Sequence, residues 1–154
     1  MAIVLPKLPR FRTSARSTSD TPPALTVLLC RQDGRYQPGQ RLSAQWQIKR
    51  IQRDELVGLE ASVLWFTEGK GDEDLQVHHF DRWNDAQLNQ LDLTIPHSIV
   101  CQLPLSPMSY EGTLVRIRWC VRLRLFCSSG HECVTQQPFQ LVSFLASSES
   151  QIAS

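Results

Sequence analysis

From Leu114 to Phe126 the chain alternates: Val115, Ile117, Trp119, Val121, Leu123 and Leu125 fall on one side, and Arg116, Arg118, Arg122 and Arg124 on the other. Successive side chains of a strand point to opposite faces, so this pattern predicts one long strand with an apolar inner row and a guanidinium-bearing outer row that faces water. Arg41 to Arg50 repeats the pattern, with Leu42, Ala44, Trp46 and Ile48 alternating with polar residues. The same rule predicts a second half-buried strand. Shorter or less regular apolar runs at Ala24–Cys30, Leu56–Thr67, Leu75–Trp83, Gln90–Ile95, Ile99–Leu103 and Phe139–Leu145 predict further strands.

Turn chemistry separates these runs. Gln37-Pro38-Gly39-Gln40 has proline and glycine in the two central places of a type II turn. The acidic, glycine-broken stretch from Glu68 to Asp74 reads as a hairpin connection, and Asn84 to Asn89 as a turn or short helical piece. Pro104, Pro107 and Gly112 frame a kinked connection into the arginine strand, and Cys127 to Gln137 reads as a polar loop. With no amphipathic helix in the pattern, the expectation is an all-β, immunoglobulin-like antiparallel β-sandwich of about seven to eight strands. At 154 residues there is room for one such domain. We place it at 24–146, after a flexible basic arm (1–23) and before a frayed tail (147–154).

Three segments, in order, carry a family resemblance: Tyr36-Gln37-Pro38-Gly39 leading into an alternating strand, Leu103-Pro104 through Ser109-Tyr110-Glu111-Gly112, and the arginine strand that follows directly. Together they resemble the amino-terminal domain of arrestins and the wider arrestin-like clan, over roughly Leu25 to Phe144. The resemblance implies a scaffold or adaptor rather than an enzyme. Arrestins carry two sandwiches and this chain has room for one, so no phosphate-sensing residue is carried over.

Charge narrows the functional classes. A net charge of +1 lacks the broad positive field of a dedicated nucleic-acid binder, so nucleic acid is not an expected partner. Locally, however, Lys7, Arg10, Arg12 and Arg16 make the arm basic. The alternative to an interaction module is therefore a peripheral protein held on anionic membrane surfaces by that arm. The outer row Arg116, Arg118, Arg122 and Arg124 suits acidic peptides, phosphates or lipid head groups. Its plainer reading is cross-strand pairing with neighbouring acids such as Glu60 or Asp92.

Other chemistry is thinner. The acids Glu68, Asp72, Glu73 and Asp74 near His78 and His79 match no calcium-loop pattern, and adjacent strand histidines point to opposite faces unless a bulge intervenes. Cys127, His131 and Cys133 lack zinc-knuckle spacing and a fourth ligand. An immunoglobulin bridge between Cys30 and Cys120 is disfavoured because Cys120 falls in the arginine row. No histidine is placed to activate Ser109, and no nucleophile elbow or phosphate loop occurs. The expectations are no enzyme activity, no cofactor and no metal. A protein partner is expected, with homo-oligomerisation through strand edges open. Five cysteines with no apolar signal core or membrane-span run put the expected location in the cytoplasm.

Overall fold

The computed structural model describes residues 22–143. In chain order it contains β1 (Ala24–Leu29), β2 (Arg35–Tyr36), β3 (Arg41–Lys49), a 3-10 turn at Arg53–Glu55, β4 (Leu56–Gly69), β5 (Leu75–Asn84), α1 (Asp85–Leu88), β6 (His97–Gln102), β7 (Tyr110–Glu111), β8 (Val115–Cys127) and β9 (Glu132–Leu141). Two sheets form a β-sandwich. One is ordered β1-β3-β6, and the other β2-β9-β8-β4-β5 with β7 also paired to β8. Every pairing is antiparallel except β2 with β9, which is parallel.

Alternation builds the interior. Leu42, Ala44, Trp46 and Ile48 of β3 are buried, as are Trp119, Val121, Leu123 and Leu125 of β8 and Leu59, Ala61 and Val63 of β4. Directly opposed residues in an antiparallel pair share a face, so the register of Val63 with Val121 and of Trp65 with Trp119 aligns these inner rows. β3 ends where Arg50 takes a φ of 61°, in the left-handed region that few side chains adopt.

The segments that carried the family resemblance have local physical roles. Gly39, at φ 79°, supplies the left-handed residue of the turn closed by the Gln40 N–H to the Gln37 carbonyl at 3.0 Å. At Gly112 a Cβ would lie 2.4 Å from the Tyr110 ring and 2.7 Å from the Val115 carbonyl oxygen, so only glycine fits. Ser109 bonds both ways with Leu141: its N–H donates to the Leu141 carbonyl at 2.8 Å, and its Oγ accepts from the Leu141 N–H at 2.9 Å. This ties the connection ahead of β8 to the end of β9.

Three expectations need correction. Gln90–Ile95 is not a strand. Asp92 accepts from the Thr94 N–H at 2.9 Å and also from the Thr94 hydroxyl, so local side-chain bonds fold the segment into turns despite its alternation. Leu91 and Leu93 still pack on the core, whereas Ile95 is exposed. The stretch from Glu132 to Gln137 is strand rather than loop, paired residue by residue with Phe126 to Val121. An edge strand needs only modest apolarity once its neighbour satisfies the backbone, so Thr135 and Gln137 serve in its inner row. The predicted last strand ends at Leu141, and 144–146 lie outside the described residues. β2 had no sequence signal of its own.

Candidate functional site

The arginine row stands on the outer face of the larger sheet, but it is not a free cationic array. Arg116 Nε lies 3.3 Å from Glu111, and Arg118 is bonded to Glu68 at 2.7 Å and lies 3.4 Å from Glu111. Arg124 pairs with Glu132 and, at 3.6 Å, with Glu60, and its guanidinium lies over the Phe126 ring at 5.1 Å. Of the two acids expected as partners, Glu60 pairs and Asp92 does not, being engaged by Thr94. The bonds to Glu68 and Glu132 push the pKa values of Arg118 and Arg124 up.

Arg122 departs from the expectation that the row faces water, because it is only 6 % exposed. With its carboxamide oxygen turned toward Arg122, Gln136 accepts from Nε at 3.1 Å and Nη2 at 2.9 Å. Burial holds the pKa of this guanidinium below the ordinary arginine value. Arg122 sits between Ser62 of β4 and Gln136 of β9, and the same face carries an apolar cluster formed by Leu64, Leu75 and Cys120 with Phe66 against them. Cys120 is buried in it, and desolvation pushes its thiol up to about 12.

The remaining candidates separate in space. β5 carries a bulge at His78, since Val77 opposes Leu64 while His79 opposes Val63. The bulge aims His78 sideways, and its Nε2 bonds the Gln102 carbonyl of β6 at 2.7 Å. His79 lies in the inner row, 3.1 Å from Asp81. The reading of one inner and one outer histidine therefore holds for His79 but not for His78. Among the described residues, no three His, Cys, Asp or Glu side chains converge as metal ligands, and Cys30, Cys101, Cys120, Cys127 and Cys133 are all free thiols. Burial, reinforced by Asp81, pushes the Cys101 thiol up to about 11. Lys7, Arg10, Arg12 and Arg16 lie outside the described residues.

Strand edges give a more definite site, which the sequence named only as a class. In the β1–β3 ladder the Cys30 N–H donates to the Ser43 carbonyl at 3.0 Å. Bonded pairs alternate along an antiparallel ladder, so Ala24, Thr26, Leu28 and Cys30 bond toward β3. Leu25, Val27 and Leu29 therefore direct their N–H and C=O groups away from the sheet. No strand among the described residues takes them. β1 lies against β9 of the other sheet, and a groove of about 750 Å³ opens along this side. It is lined by Leu28 and Leu29 on one wall and by Pro138 and Phe139 on the other, with Phe66 and Arg118 also contributing. Its volume is that of a ligand-sized cleft. A second, more polar depression of about 570 Å³ lies beside Arg53, but there the guanidinium is already bonded to the Leu56 carbonyl and to Asp85, tying the 3-10 turn to α1.

No protein-family model matches the chain, and no curated protein does. Among solved structures it is similar to Spo0M, a sporulation control protein from Bacillus subtilis, with a TM-score of 0.53 and 11% sequence identity. The match covers 84% of this chain and 55% of that one, so the chain spans about half the length of that protein. No helix among the described residues is long and apolar enough to cross a membrane. At this identity the likeness is one of fold, and the fold is an arrestin-like β-sandwich.

Proposed function

We propose that this chain is a non-enzymatic interaction module of the arrestin-like family, an adaptor or scaffold that holds a protein partner by strand addition along β1. The observation that carries the reading is the row of outward backbone groups on Leu25, Val27 and Leu29 beside the groove. A peptide laid there gains main-chain hydrogen bonds from the edge and side-chain contacts from the groove. Two features favour this edge over the arginine row: three of the four arginines are already paired with glutamates, and the fourth is buried. The thiols point the same way with respect to catalysis, since Cys101 and Cys120 stay protonated at neutral pH and are poor nucleophiles.

The test is selection of extended peptides from a random display library against the full chain, followed by mapping of a selected peptide through backbone amide shifts. The expected result is that shifts centre on Leu25, Val27 and Leu29 and that Thr26→Lys/Leu28→Lys abolishes capture. Shifts centred on Arg116–Arg124, with capture lost in Arg118→Gln/Arg124→Gln, would overturn the reading.

A further inference from the structure

Not all edges of this sandwich are alike. β5 is interrupted by the bulge at His78 and carries His79, Asp81 and Arg82. β6 has its Gln102 carbonyl occupied by His78. β9 contains Pro138, which has no N–H to offer, and β2 covers its end at Gln140 and Leu141. Charges, bulges, proline and covering segments are the usual protections against unwanted pairing. β1 has none of them: Ala-Leu-Thr-Val-Leu-Leu carries no charge, glycine, proline or bulge.

The inner-facing row of β1 is also a near-palindrome, Leu25-x-Val27-x-Leu29. We infer that β1 is a self-pairing edge, and that the partner it fits is a second copy of this chain, joined antiparallel about a two-fold axis through Val27. The inference rests on the strand-addition reading above and names the occupant. Val27 then opposes Val27 of the second copy, and Leu25 opposes Leu29. Each copy contributes three outward N–H groups, so the joint contains six new hydrogen bonds. In the outer row Thr26 meets Leu28 of the other copy, which covers a leucine that is 67 % exposed in the single chain.

The product is a continuous sheet of order β6-β3-β1-β1-β3-β6 with the Leu-Val-Leu row running unbroken across the joint. A two-fold joint of this kind closes on itself and stops at two copies. Self-pairing is favoured over a charged partner because nothing on β1 repels its own copy and nothing on it selects a counter-charge. A joint of two six-residue edges is short beside a lasting interface, so the association is expected to be weak and dependent on concentration.

Sedimentation equilibrium of the full chain, from about 5 µM to about 1 mM, tests this. The expected result is a rise from monomer mass toward twice that value. Thr26→Lys/Leu28→Lys and Thr26→Glu/Leu28→Glu change only exposed side chains, and each places like charges opposite one another across the joint. Each variant alone is expected to stay monomeric, and an equimolar mixture to recover association as a mixed dimer at least as tight as the parent. Monomer mass throughout for the parent, or undiminished association of the lysine variant, would overturn self-pairing. A monomeric parent that still captures selected peptides at β1 discards the second copy and leaves strand addition standing. A dimer that captures no peptide keeps the second copy as the occupant of β1 and discards a foreign peptide partner.

Discussion

The two long sides of the sandwich are finished differently. Along one, β5 and β6 are tied together. His78 reaches across to the Gln102 carbonyl, and Trp46 of β3 stacks on His97 of β6 at 4.8 Å while meeting Trp83 of β5 at 5.4 Å. Along the other, β1 and β9 lie close, yet among the described residues no hydrogen bond joins them and a groove remains. The core would tolerate either finish. What distinguishes the sides is that one edge carbonyl, that of Gln102, is taken up internally on the tied side, and the proposed strand addition falls on the β1 side.

The largest way to break this contrast is at Trp46, which is 2 % exposed and links β3 to both strands of the tied side. Trp46→Ala is expected to cost about 3–5 kcal/mol, the usual range for truncating a buried aromatic. Leu28→Ala, on the open side, stays within about 0.5 kcal/mol because its side chain is already in water. Urea denaturation midpoints of the two variants measure the asymmetry. Equal losses would mean that the open side is packed as firmly as the tied one.

Next in size is an alkaline effect that separates the two sides by their desolvated thiols. Cys120 lines the groove and ionises at about 12, whereas Cys101 lies on β6 and ionises at about 11. Both values are raised from 9.0. In the unfolded chain these thiols ionise near 9, so the stability they contribute is complete below that pH and is lost as pH rises through the folded values. Cys120 should account for about 1 kcal/mol per pH unit above 9. Cys101→Ala is expected to flatten the decline only up to about pH 11, and Cys120→Val to flatten it up to about 12. An unchanged slope in Cys120→Val would show that this thiol is solvated.

Legibility in the sequence followed burial. β3 was readable because it has one covered face and a strict period of two, and the middle of β8 because its apolar and arginine positions alternate strictly even though both its faces are covered. β4 was less regular because both its faces are covered, with Ala61 and Val63 inside and Leu64 buried under the outer cluster. Arg122 could not be recognised as buried for a related reason, since alternation reports which face a residue is on and not what covers that face. Gln90–Ile95 had the right period, but hydrogen bonds from Asp92 and the Asn84–Gln87 capping box redirect the backbone there. For the site, only the class was readable. Which edge is open depends on non-local events, such as the bulge that sends His78 to β6 and the position of Pro138, that one-dimensional periodicity does not carry.

The smallest expected effect is the most direct comparison of the two sides. In the β3–β6 ladder the Leu103 N–H donates to the Gln40 carbonyl at 2.9 Å, so Ile99 and Cys101 bond toward β3 while Ser98, Val100 and Gln102 face outward. The outward set on β6 corresponds to Leu25, Val27 and Leu29 on β1, and among the described residues the His78 bond to Gln102 sets the two edges apart. His78→Ala is expected to cost about 1 kcal/mol, the net worth of one hydrogen bond. Amide hydrogen exchange then shows where the loss falls. The amides of Ile99 and Cys101 should exchange several-fold faster as the freed end of β6 frays, while those of Thr26 and Leu28, which bond to β3 from the already open side, should not change. Acceleration spread equally over β1 and β6 would mean that His78 supports the whole smaller sheet rather than one edge of it, and the contrast between the sides would have to rest on the aromatic contacts of Trp46 alone.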